Sequence, residues 1–501
     1  MSSAPDLPPE IIYLITQHLS RHHILPLLTL NRHWHRVIVA ELYNVIRIRS
    51  AREQYHYWNL FCETRRSRQG EQQQQHGSSF YSPMNYAAHI RQLDLSWSYP
   101  GKRITDALLD DLTKDCIQLE SINIYNCFDI TSRGLGRVLE NCSKIRHLYA
   151  AMATSITSKC LLIPPLTHLQ QLETINLYGL ESPLFFRSIT KRRNKNALRH
   201  LDHIRTLHLT GPVPNELIPI IGHSLRDLTL DHIKAKHTGH DDDQVLQLLF
   251  QHTPLLTRIR LKDYHLASSS TLGRLPLHLQ ALELDHCRLT YDSPPPPPFV
   301  KYLKALELPD TSVKTIDMWI EQCTHRLLRF TAPPNIPGRA LEMLMERCPH
   351  LAHLTMDHAV SPVDITAIIM YRDYLDRALT TSYWANTLVS LDVMIPFTVP
   401  HQPLPQLEHL HMRFPVPSIR LEGTMIRDLY PALRVLYIEQ LTFAFESQQQ
   451  QEEPLWLGTN APWLDQLDAF MLPTQYYREP TEQLVRLREQ YEHWYSHKYI
   501  W

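Results

Sequence analysis

The sequence predicts an α/β solenoid in which short parallel strands alternate with helices, preceded by a module of three helices. Three observations predict this fold. A six-residue pattern, apolar-x-x-apolar-x-apolar, starts fifteen times between residues 90 and 464, so its mean period is (464 − 90)/14, or about 27 residues. Helical apolar spacing fills several intervals between these starts. The first 45 residues show helical spacing with prolines at the first turn.

Composition narrows the range of functions. The chain has 501 residues, 43% of them hydrophobic, and Lys+Arg 50 against Asp+Glu 51 leaves a net charge of −1. This balance gives no basic footprint for DNA or RNA, so no nucleic-acid partner is expected. With 13 glycines and 36 prolines, Gly-rich phosphate loops and open dinucleotide-binding folds are disfavoured.

Targeting and cysteine signals indicate a protein inside the cell. No stretch approaches the roughly 18 consecutive apolar residues that span a bilayer, and the N-terminus lacks a signal-peptide pattern. The eight cysteines are too sparse for a disulfide framework and include no CxxC pair. We therefore expect no membrane partner and a reducing intracellular compartment, the cytoplasm and/or the nucleus.

Residues 1–45 are predicted to form three short helices. Pro8 and Pro9 suit the first turn of the first helix, with Asp6 as its cap. Apolar residues at helical spacing mark the helices: Ile11, Ile15 and Leu19 in the first, Leu27 and Leu28 in the second after a Ser20 cap, and Trp34, Ile38 and Leu42 in the third. Three helices in about 40 residues lie near the lower limit for independent folding, so the module is expected to bury apolar residues against something else.

This segment resembles the F-box motif in residue type and in spacing. The resemblance covers Leu7-Pro8-x-Glu10-Ile11, Ile15, Leu19, Leu27, Leu28, Leu30, Asn31, Trp34, Val37 and Leu42-Tyr43, and Pro26 inside the second helix departs from it. It implies that a Skp adaptor contacts Leu7, Pro8, Glu10 and Ile11, and that Leu27, Leu28 and Trp34 form or support the same surface. Ile15, Leu19 and Ile38 are interpreted as the core of the module, in preference to contact residues.

Residues 46–89 are predicted to be a linker and an irregular capping repeat with a Gln-rich loop. Val45 to Ile48 is expected to form a short strand, and Ala51 to Thr64 a helix. Gln72 to Gln75 is assigned to a surface loop. Terminal repeats of a solenoid are commonly atypical, which suits this position in the chain.

Residues 90–470 are predicted to hold about fifteen repeats, interrupted by Pro-rich and Gln-rich loops at 294–298 and 448–451. The apolar-x-apolar end of each copy alternates as a strand with one buried face must. Segments between strands, such as Leu135 to Cys142 after a Thr131 cap, have helical spacing. Residues 471–501 are predicted to add a C-terminal capping helix. The repeats start at Ile90, Leu119, Ile145, Leu172, Ile204, Leu225, Leu256, Leu279, Leu303, Leu327, Leu351, Leu388, Leu407, Leu433 and Leu464.

The repeat resembles the leucine-rich repeat, and its early copies resemble the cysteine-containing subfamily. ITDALLDDLTKDCIQLESINIYNC, from Ile104, can be compared with ITSRGLGRVLENCSKIRHL, from Ile130. The resemblance implies a horseshoe with parallel strands on the concave face and helices on the convex face. Cys116, Cys142 and Cys348 each stand three residues before a repeat start. We expect them to be buried core residues, in preference to redox or metal sites, because buried free cysteine behaves as a small hydrophobe.

The two resemblances together indicate an F-box protein with leucine-rich repeats. Such proteins are substrate receptors of SCF-type ubiquitin ligases: the F-box docks on the Skp adaptor, which joins the cullin–RING scaffold, and the repeats capture a target protein. The receptor does no bond chemistry, so no catalytic residue, cofactor or metal is expected, and GxSxG, HExxH and GxxxxGK[ST] motifs are absent. The alternative is a leucine-rich-repeat interaction scaffold without ligase function.

The outward positions of the strands form the candidate surface for the target protein. A basic cluster on one strand, with acidic neighbours, is hypothesised to help recognise an acidic or phosphorylated segment. The alternative is a solvated face whose opposite charges satisfy one another. A polar loop with His232, His237, His240 and Asp241 to Asp243 fits no metal-ligand spacing. The candidate residues are Tyr125, Tyr149, Tyr178, Arg258, Arg260, Lys262, His409, His411 and Arg413.

Overall fold

A computed structural model describes most of the chain up to residue 471. The described residues are 7–19, 21–48, 50–73, 85–96, 104–188, 199–232, 241–266, 269–289, 296–308, 313–333, 336–356, 379, 384–393, 403–414, 428–440, 467 and 469–471. The predicted C-terminal helix, the 448–451 loop and the Asp6 and Ser20 caps lie outside them. The chain divides into two compact units, residues 1–256 and 257–501.

The N-terminal module contains the predicted helices, with one change in the second. Helix α1 spans Pro9–Gln17, α2 is one turn at Arg21–Ile24, a 3₁₀ helix follows at Leu25–Thr29, and α3 spans Arg32–Leu42. The prediction of one helix through Leu28 is wrong in detail, because Pro26 has no N–H to donate and the chain tightens into the 3₁₀ form.

The first unit contains a parallel sheet whose strands pair in chain order. Its described strands are β1 (Val45–Arg47), β2 (Gln92–Asp94), β3 (Ser121–Asn123), β4 (His147–Tyr149), β5 (Thr174–Glu181), β6 (Thr206–Thr210) and β7 (Asp227–Asp231). The main helices are α4 (Ala51–Gln73), α5 (Asp106–Thr113) and α6 (Ser132–Asn141). Shorter helices and turns are Tyr86–His89, Ser158–Leu162, Leu166–Leu169, Ser182–Phe186, Arg199–Leu201 and Ile218–Ile221, and a longer helix spans Asp241–His252.

The strand and helix predicted between residues 45 and 64 are both present. Strand β1 pairs with β2 and so begins the sheet. Helix α4 packs against α5: Trp58 Nε1 donates to Asp111 Oδ2 at 3.3 Å, and Arg65 Nε donates to Asp115 Oδ2 at 2.7 Å. Helix α4 continues past Thr64 to Gln73, so the start of the Gln-rich segment is helical where a loop was predicted.

The second unit repeats the architecture of strands paired in parallel. Its sheet contains β8 (Arg258–Lys262), β10 (Ala281–Asp285), β12 (Ala305–Glu307), β13 (Arg329–Thr331), β14 (His353–Met356), β15 (Ser390–Val393), β16 (His409–Phe414), β17 (Val435–Gln440) and β18 (Ala469–Met471). Two short strands, β9 (His265–Leu266) and β11 (Arg288–Leu289), pair separately. The helices are Ser269–Leu272, Pro298–Tyr302 (3₁₀), Val313–Gln322, Gly338–Arg347 and Trp384–Thr387.

The repeat pattern sets the register of the strands in each unit. Its apolar residues point inward, as Leu119, Ile122 and Ile124 show with 0% exposure each. Every repeat start predicted from the sequence agrees with the register of the described strands, except the last. That repeat begins at Leu467 and not at Leu464, because Ala469 pairs with Val435, the second residue after Leu433. The solenoid of stacked strand–helix repeats is thus the predicted leucine-rich-repeat fold.

The cysteines are free thiols within this core. Seven of the eight are buried, and Cys62 is half-buried. Burial raises the pKa of the Cys127, Cys142 and Cys160 thiols to about 12. Cys127 Sγ donates to the Leu95 carbonyl of the preceding repeat at 3.5 Å. The prediction that the repeat cysteines are core residues is confirmed.

Candidate functional site

The helical module leaves large apolar side chains on its surface although its core is complete. Ile12, Ile24, Trp34 and Ile38 are buried together and fill that core. The exposed residues are Ile11 (42%), Tyr13 (43%), Leu14 (50%), Leu25 (48%) and Leu30 (46%). Apolar side chains concentrated on so small a module indicate an interaction surface.

The residues predicted to bind an adaptor fall into surface and supporting groups. Trp34, at 7% exposure, belongs to the core and supports the module. The supporting role of Trp34 follows from its position on α3, where the Asn31 side chain caps the helix by accepting from the Trp34 N–H at 2.9 Å. Of the others, Pro8, Glu10 and Ile11 are exposed, whereas Leu7, Leu27 and Leu28 are half-buried against the core.

Leu14 is a surface residue that the sequence prediction missed. It lies three residues after Ile11 and therefore on the same side of α1. The spacing placed Ile11, Ile15 and Leu19 on one side of the helix, and Leu14 falls outside that set. Ile15 and Leu19 pack against the core as predicted, Ile12 is buried with them, and Ile11 lies on the surface. Leu25 and Leu30 were missed because a 3₁₀ helix has a different period.

The module joins the sheet through a short connection. Only Tyr43 and Asn44 separate α3 from β1. The Asn44 carbonyl accepts hydrogen bonds from the N–H groups of Arg91 at 2.9 Å and Gln92 at 3.0 Å. The Tyr43 ring packs on that of Tyr86, with centroids 5.0 Å apart. The exposed apolar surface is therefore carried on a module anchored to the first repeats.

The first unit brings together, on adjacent strands, three residues that were predicted to bind the target protein. Alternate residues of β3, β4 and β5, continued two residues past the ends of β3 and β4, make up what we name the tyrosine face. They are Ser121, Asn123, Tyr125, His147, Tyr149, Ala151, Thr174, Asn176 and Tyr178. Tyr125 is half-buried, Tyr149 is 9% exposed and Tyr178 is 37% exposed. Burial raises the pKa of Tyr149 to about 12, so its phenol is neutral at physiological pH.

Side-chain hydrogen bonds hold the ends of these strands. Asn123 Oδ1 accepts from the Tyr125 N–H at 3.0 Å, and Asn176 Oδ1 accepts from the Tyr178 N–H at 3.1 Å. Burial lowers the pKa of His147, whose Nδ1 lies 3.0 Å from the Thr174 hydroxyl. The tyrosine face thus contains no Asp, Glu, Lys or Arg, and its histidine is neutral at pH 7.

Charged residues form a separate row beside the tyrosine face, immediately before each strand. Arg91 and Glu120 lie 3.7 Å apart, and Glu173 bridges Arg146 at 3.8 Å and Arg205 at 3.7 Å. Sequence analysis missed this row, although the residue after each repeat start alternates in sign along the early repeats. These charges pair with one another, so they leave the adjoining face uncharged.

The predicted basic cluster lies on β8 in the second unit, where carboxylates surround its central residue. Arg260 Nη2 donates to Asp285 Oδ2 at 2.9 Å, and its Nε lies 3.7 Å from Glu283 Oε2. Burial alone would lower the pKa of Arg260, but Glu283, Asp285 and Glu307 outweigh it and raise that pKa. This geometry favours mutual neutralisation over an open acid-binding site. Arg258 is exposed and Lys262 is half-buried on the same strand.

The late histidines form a second polar group in that unit. His411 Nδ1 lies 3.1 Å from Asp392 Oδ1, and both side chains are nearly buried. The His411 ring meets that of Tyr437 edge-on, with centroids 4.2 Å apart. His409 is half-buried on the same strand, and the Arg413 side chain lies outside the described residues. The predicted residues are thus divided between the units: the tyrosines belong to the first unit and the others to the second.

Neither a metal-ion cluster nor a membrane-spanning helix lies within the described ranges. No group of three or more His, Cys, Asp and Glu side chains there could hold a metal ion. None of the helices described has both the length and the apolar character that crossing a bilayer requires.

Comparisons with known proteins concern the fold alone. No protein-family model matches the chain, and no curated protein matches its sequence. Solved structures that resemble it at low identity include the following three. The yeast Rad7 and Elc1 complex has 13% identity and a TM-score of 0.42, covering 80% of this chain and 92% of that one. A Listeria monocytogenes internalin has 14% identity and a TM-score of 0.31, covering 77% and 92%. The leucine-rich repeat-containing protein LegL7 from Legionella pneumophila has 13% identity and a TM-score of 0.32, covering 66% and 95%.

Proposed function

We propose that this chain is the substrate-recognition subunit of an SCF-type ubiquitin ligase. The helical module binds a Skp adaptor, through which a cullin–RING ligase is recruited, and the repeats bind a target protein. The receptor works inside the cell, in the cytoplasm and/or the nucleus. It needs no cofactor and carries out no bond chemistry itself.

The exposed apolar surface of the helical module carries this proposal. Ile11 and Leu14 project from α1 with about half of each side chain in contact with solvent. Burying a fully exposed side chain of this size contributes about 1.5 to 3 kcal/mol, so burying the half that each still exposes contributes about half of that. Ile11, Pro8 and Glu10 also occupy positions of the F-box motif, and the structure leaves all three exposed.

Recruitment supports ubiquitin transfer through proximity. A receptor that holds a target near the conjugating enzyme raises the effective concentration of its lysines. The connection of only Tyr43 and Asn44 between α3 and β1, and the packing of the Tyr43 ring on that of Tyr86, suit this role. Both features hold the module on the first repeats.

Co-purification of the full chain with a recombinant Skp adaptor tests the proposal. The wild-type chain should bind in a one-to-one complex, and Ile11→Asp/Leu14→Asp should abolish binding while leaving the far-UV circular dichroism spectrum unchanged. The fold should survive because neither side chain belongs to the core of the module. Addition of a cullin–RING scaffold should then yield a larger complex with the wild-type chain and not with the variant.

A matched control uses exposed apolar residues outside the module. Ile117 is 56% exposed and Leu162 is 36% exposed in the same unit. Ile117→Asp/Leu162→Asp introduces the same two charges and should bind the adaptor as wild type does. A folded wild-type chain that does not bind any Skp adaptor would overturn the ligase proposal.

The second candidate function is an interaction scaffold that binds proteins without directing ubiquitination. The outward faces of the strands support the scaffold function as well as they support the ligase function, since a repeat surface can bind a partner in either case. Adaptor binding followed by cullin recruitment separates the two functions. Adaptor binding without cullin recruitment would favour the scaffold.

A further inference from the structure

The second unit exposes a group of positive charges where strands β12 and β13 begin. We name this surface the cationic edge and define it by six exposed residues, Lys301, Tyr302, Lys304, Arg326, Leu328 and Arg329. The segments that form it, residues 299–308 and 323–331, contain a single acidic residue, Glu307. That carboxylate helps to raise the pKa of Arg260, so its charge already acts on strand β8.

The row of residues immediately before the strands loses its acidic members at this edge. In the first unit, Glu120 and Glu173 occupy the row and pair with the arginines beside them. At the same position in the second unit, Lys304 lies between Gln280 and Leu328. Lys304 N–H donates to the Gln280 carbonyl at 2.7 Å, and Leu328 N–H donates to the Lys304 carbonyl at 2.8 Å. Lys304 therefore has no carboxylate on either side of it in the row.

Arg329 likewise has no acidic residue in register with it. Its partners on the neighbouring strands are Ala305 of β12 and His353 of β14. Arg260 is different, because Glu283 stands in register with it and their side chains approach to 3.7 Å. Within the described part of the chain, Arg329 forms no ion pair, and its charge stays available at the surface.

Tyr302 lies between two further cations of the edge. Lys301 Nζ is 5.0 Å from the centre of its ring, and Arg326 Cζ is 5.8 Å from it. The Thr324 hydroxyl donates to the Lys301 carbonyl at 3.0 Å, which holds the next turn beside Tyr302. A ring attracts a cation through its quadrupole and leaves the cation's charge intact. The two head groups are thus positioned without being neutralised.

Apolar area accompanies these charges. The Tyr302 side chain is 40% exposed and Leu328 is 42% exposed, although neither fills a core position. Interfaces between proteins commonly place such aromatic and apolar area among charged groups. The cationic edge therefore offers positive charge and apolar contact to the same partner.

We propose that the cationic edge binds an acidic segment of the target protein, one with an apolar side chain among its Asp and Glu residues. The inference rests on the proposed function and names the class of segment that the repeats recognise. Carboxylates of the segment pair with Lys304, Arg326 and Arg329, since an ionised donor and acceptor form the stronger hydrogen bonds. The apolar side chain packs on Tyr302 and Leu328.

The distribution of the cations favours several carboxylates over one phosphate. Lys301 and Arg326 belong to the two turns, whereas Lys304 and Arg329 stand at two strand starts about 4.8 Å apart. A single phosphate is bound where donors converge on one point, but carboxylates spaced along an extended segment meet cations that are spread out. The same arrangement explains why β8 is the less suitable site for an acidic segment: its central cation, Arg260, is already paired.

Fluorescence polarisation of labelled ten-residue peptides on the purified full chain tests the proposal. The probes are a peptide with a central leucine among Asp and Glu, its counterpart with Asn and Gln in place of the acids, its counterpart with serine in place of leucine, and an otherwise uncharged peptide with one phosphoserine. An oligothymidylate of ten nucleotides serves as the nucleic-acid probe. We expect the acidic leucine peptide to bind at least about tenfold more tightly than the amide counterpart, and to bind at least about tenfold more weakly at 500 mM than at 50 mM salt, because exposed charges are screened. Replacing the leucine with serine should weaken binding by about threefold or more.

Variants of the edge make the test specific. Lys304→Glu/Arg329→Glu should abolish binding of the acidic peptide, and Lys304→Gln/Arg329→Gln, which adds no repulsion, should weaken it by about tenfold or more. Tyr302→Ala should also weaken binding. All three residues are exposed, so the far-UV circular dichroism spectrum should stay as in wild type.

The matched control reverses two exposed cations of the first unit. Arg133→Glu/Lys159→Glu changes the net charge by the same amount as Lys304→Glu/Arg329→Glu and should bind the acidic peptide as wild type does. Equal loss of binding in both double variants would show that only the net charge of the chain matters, and would overturn the proposal.

The assay contains no adaptor, so its result is independent of the adaptor-binding experiment. Equal binding of the acidic and amide peptides, no binding of any peptide, or tighter binding of the phosphoserine peptide or the oligonucleotide would also overturn the proposed acidic ligand. Failure of the adaptor to bind, with the preference for the acidic peptide intact, would overturn the ligase function and leave the cationic edge as the binding site of a scaffold.

Discussion

Asp106 and Thr131 belong to neighbouring repeats and are joined by two hydrogen bonds. Asp106, the first residue of α5, accepts from the Thr131 N–H at 2.7 Å through Oδ1 and from the Thr131 hydroxyl at 2.6 Å through Oδ2. Thr131 is itself the N-cap of α6, accepting from the Arg133 N–H at 3.2 Å. One carboxylate thus fixes the start of the next helix, where unpaired N–H groups favour negative charge.

Removing this carboxylate should destabilise the stacking of the two repeats. We expect Asp106→Ala to lower the free energy of unfolding by about 1 to 2 kcal/mol, the usual cost of losing a helix-terminus acceptor. Asp106→Asn keeps one acceptor and should lose less. The urea midpoint of unfolding, compared at equal m-value, measures both effects.

Asp110 provides the matched control on the same helix. Its carboxylate has no hydrogen-bond or ion-pair partner within the described part of the chain, and α5 retains its cap Thr105. Asp110→Ala should therefore change the midpoint by less than about 0.5 kcal/mol. Equal losses for Asp106→Ala and Asp110→Ala would show that the contact with Thr131 is unimportant.

The N-cap threonines show how much of the fold could be predicted from the sequence. Thr105, Thr131 and Thr157 follow isoleucines at intervals of 131 − 105 and 157 − 131, or 26 residues each. The structure makes all three the first cap of a helical segment. Strand positions and helix starts depend on residues within one repeat, so a short periodic pattern can predict both, although only the Thr131 cap was predicted from it.

Features that depend on neighbouring repeats were harder to predict. The last repeat was placed at Leu464, but pairing with β17 selects Leu467, and no local pattern distinguishes the two leucines. The sequence left open whether Arg260 binds an acidic segment or is neutralised by acidic neighbours, and the structure pairs it with Glu283 and Asp285 on the next strand. Its charge environment depends on strand register, which a single repeat does not contain.

Gly179 is required by its conformation and by its neighbour. It adopts a φ of +77°, and a Cβ there would overlap Met152 Sδ. We expect Gly179→Ala to destabilise the first unit by about 1 to 3 kcal/mol through both effects. The double variant Met152→Ala/Gly179→Ala removes the clash and retains the backbone strain, so it should cost less than the sum of the single changes. Strict additivity in urea unfolding would exclude the steric contribution.

The buried thiols should resist modification in the folded protein. At pH 8 a thiol with a pKa of about 12, such as Cys127, Cys142 or Cys160, is ionised to only about one part in 10⁴, and burial also blocks access. Reaction with Ellman's reagent should therefore label one thiol quickly, the half-buried Cys62, and all eight after unfolding in urea. Cys62→Ser should remove the fast phase. Rapid labelling of two or more thiols in the native chain would contradict this.

His147 should make the first unit less stable in mild acid. Burial lowers its pKa below the ordinary 6.5, so between the two pKa values the unfolded chain binds more protons than the folded one. Stability is then greatest above pH 6.5 and falls as the pH drops through that value. His147→Gln should reduce the slope of unfolding free energy against pH between 7 and 5. His223→Gln, which replaces an exposed histidine, should leave the slope as in wild type.

Arg260 should be the cation on which the acidic residues of β10 and β12 depend. Its replacement by methionine leaves Glu283, Asp285 and Glu307 close together without the charge that offsets them. Because the Arg260 side chain is 29% exposed, we expect a loss of about 2 kcal/mol, below the cost of breaking a fully buried pair. Arg260→Lys keeps the charge but cannot reproduce the planar fork, and should fall between wild type and Arg260→Met.

Two further variants connect that loss to the carboxylates. Arg260→Met/Asp285→Asn removes one of the unpaired charges and should recover part of the stability, giving a coupling of about 1 kcal/mol in a double-mutant cycle. Arg258→Met, on the exposed part of the same strand, should cost less than about 0.5 kcal/mol. Equal destabilisation by Arg258→Met and Arg260→Met, or a cycle without coupling, would contradict this prediction. Arg260 would then be an ordinary surface cation, and solvent would be enough to stabilise the acidic residues.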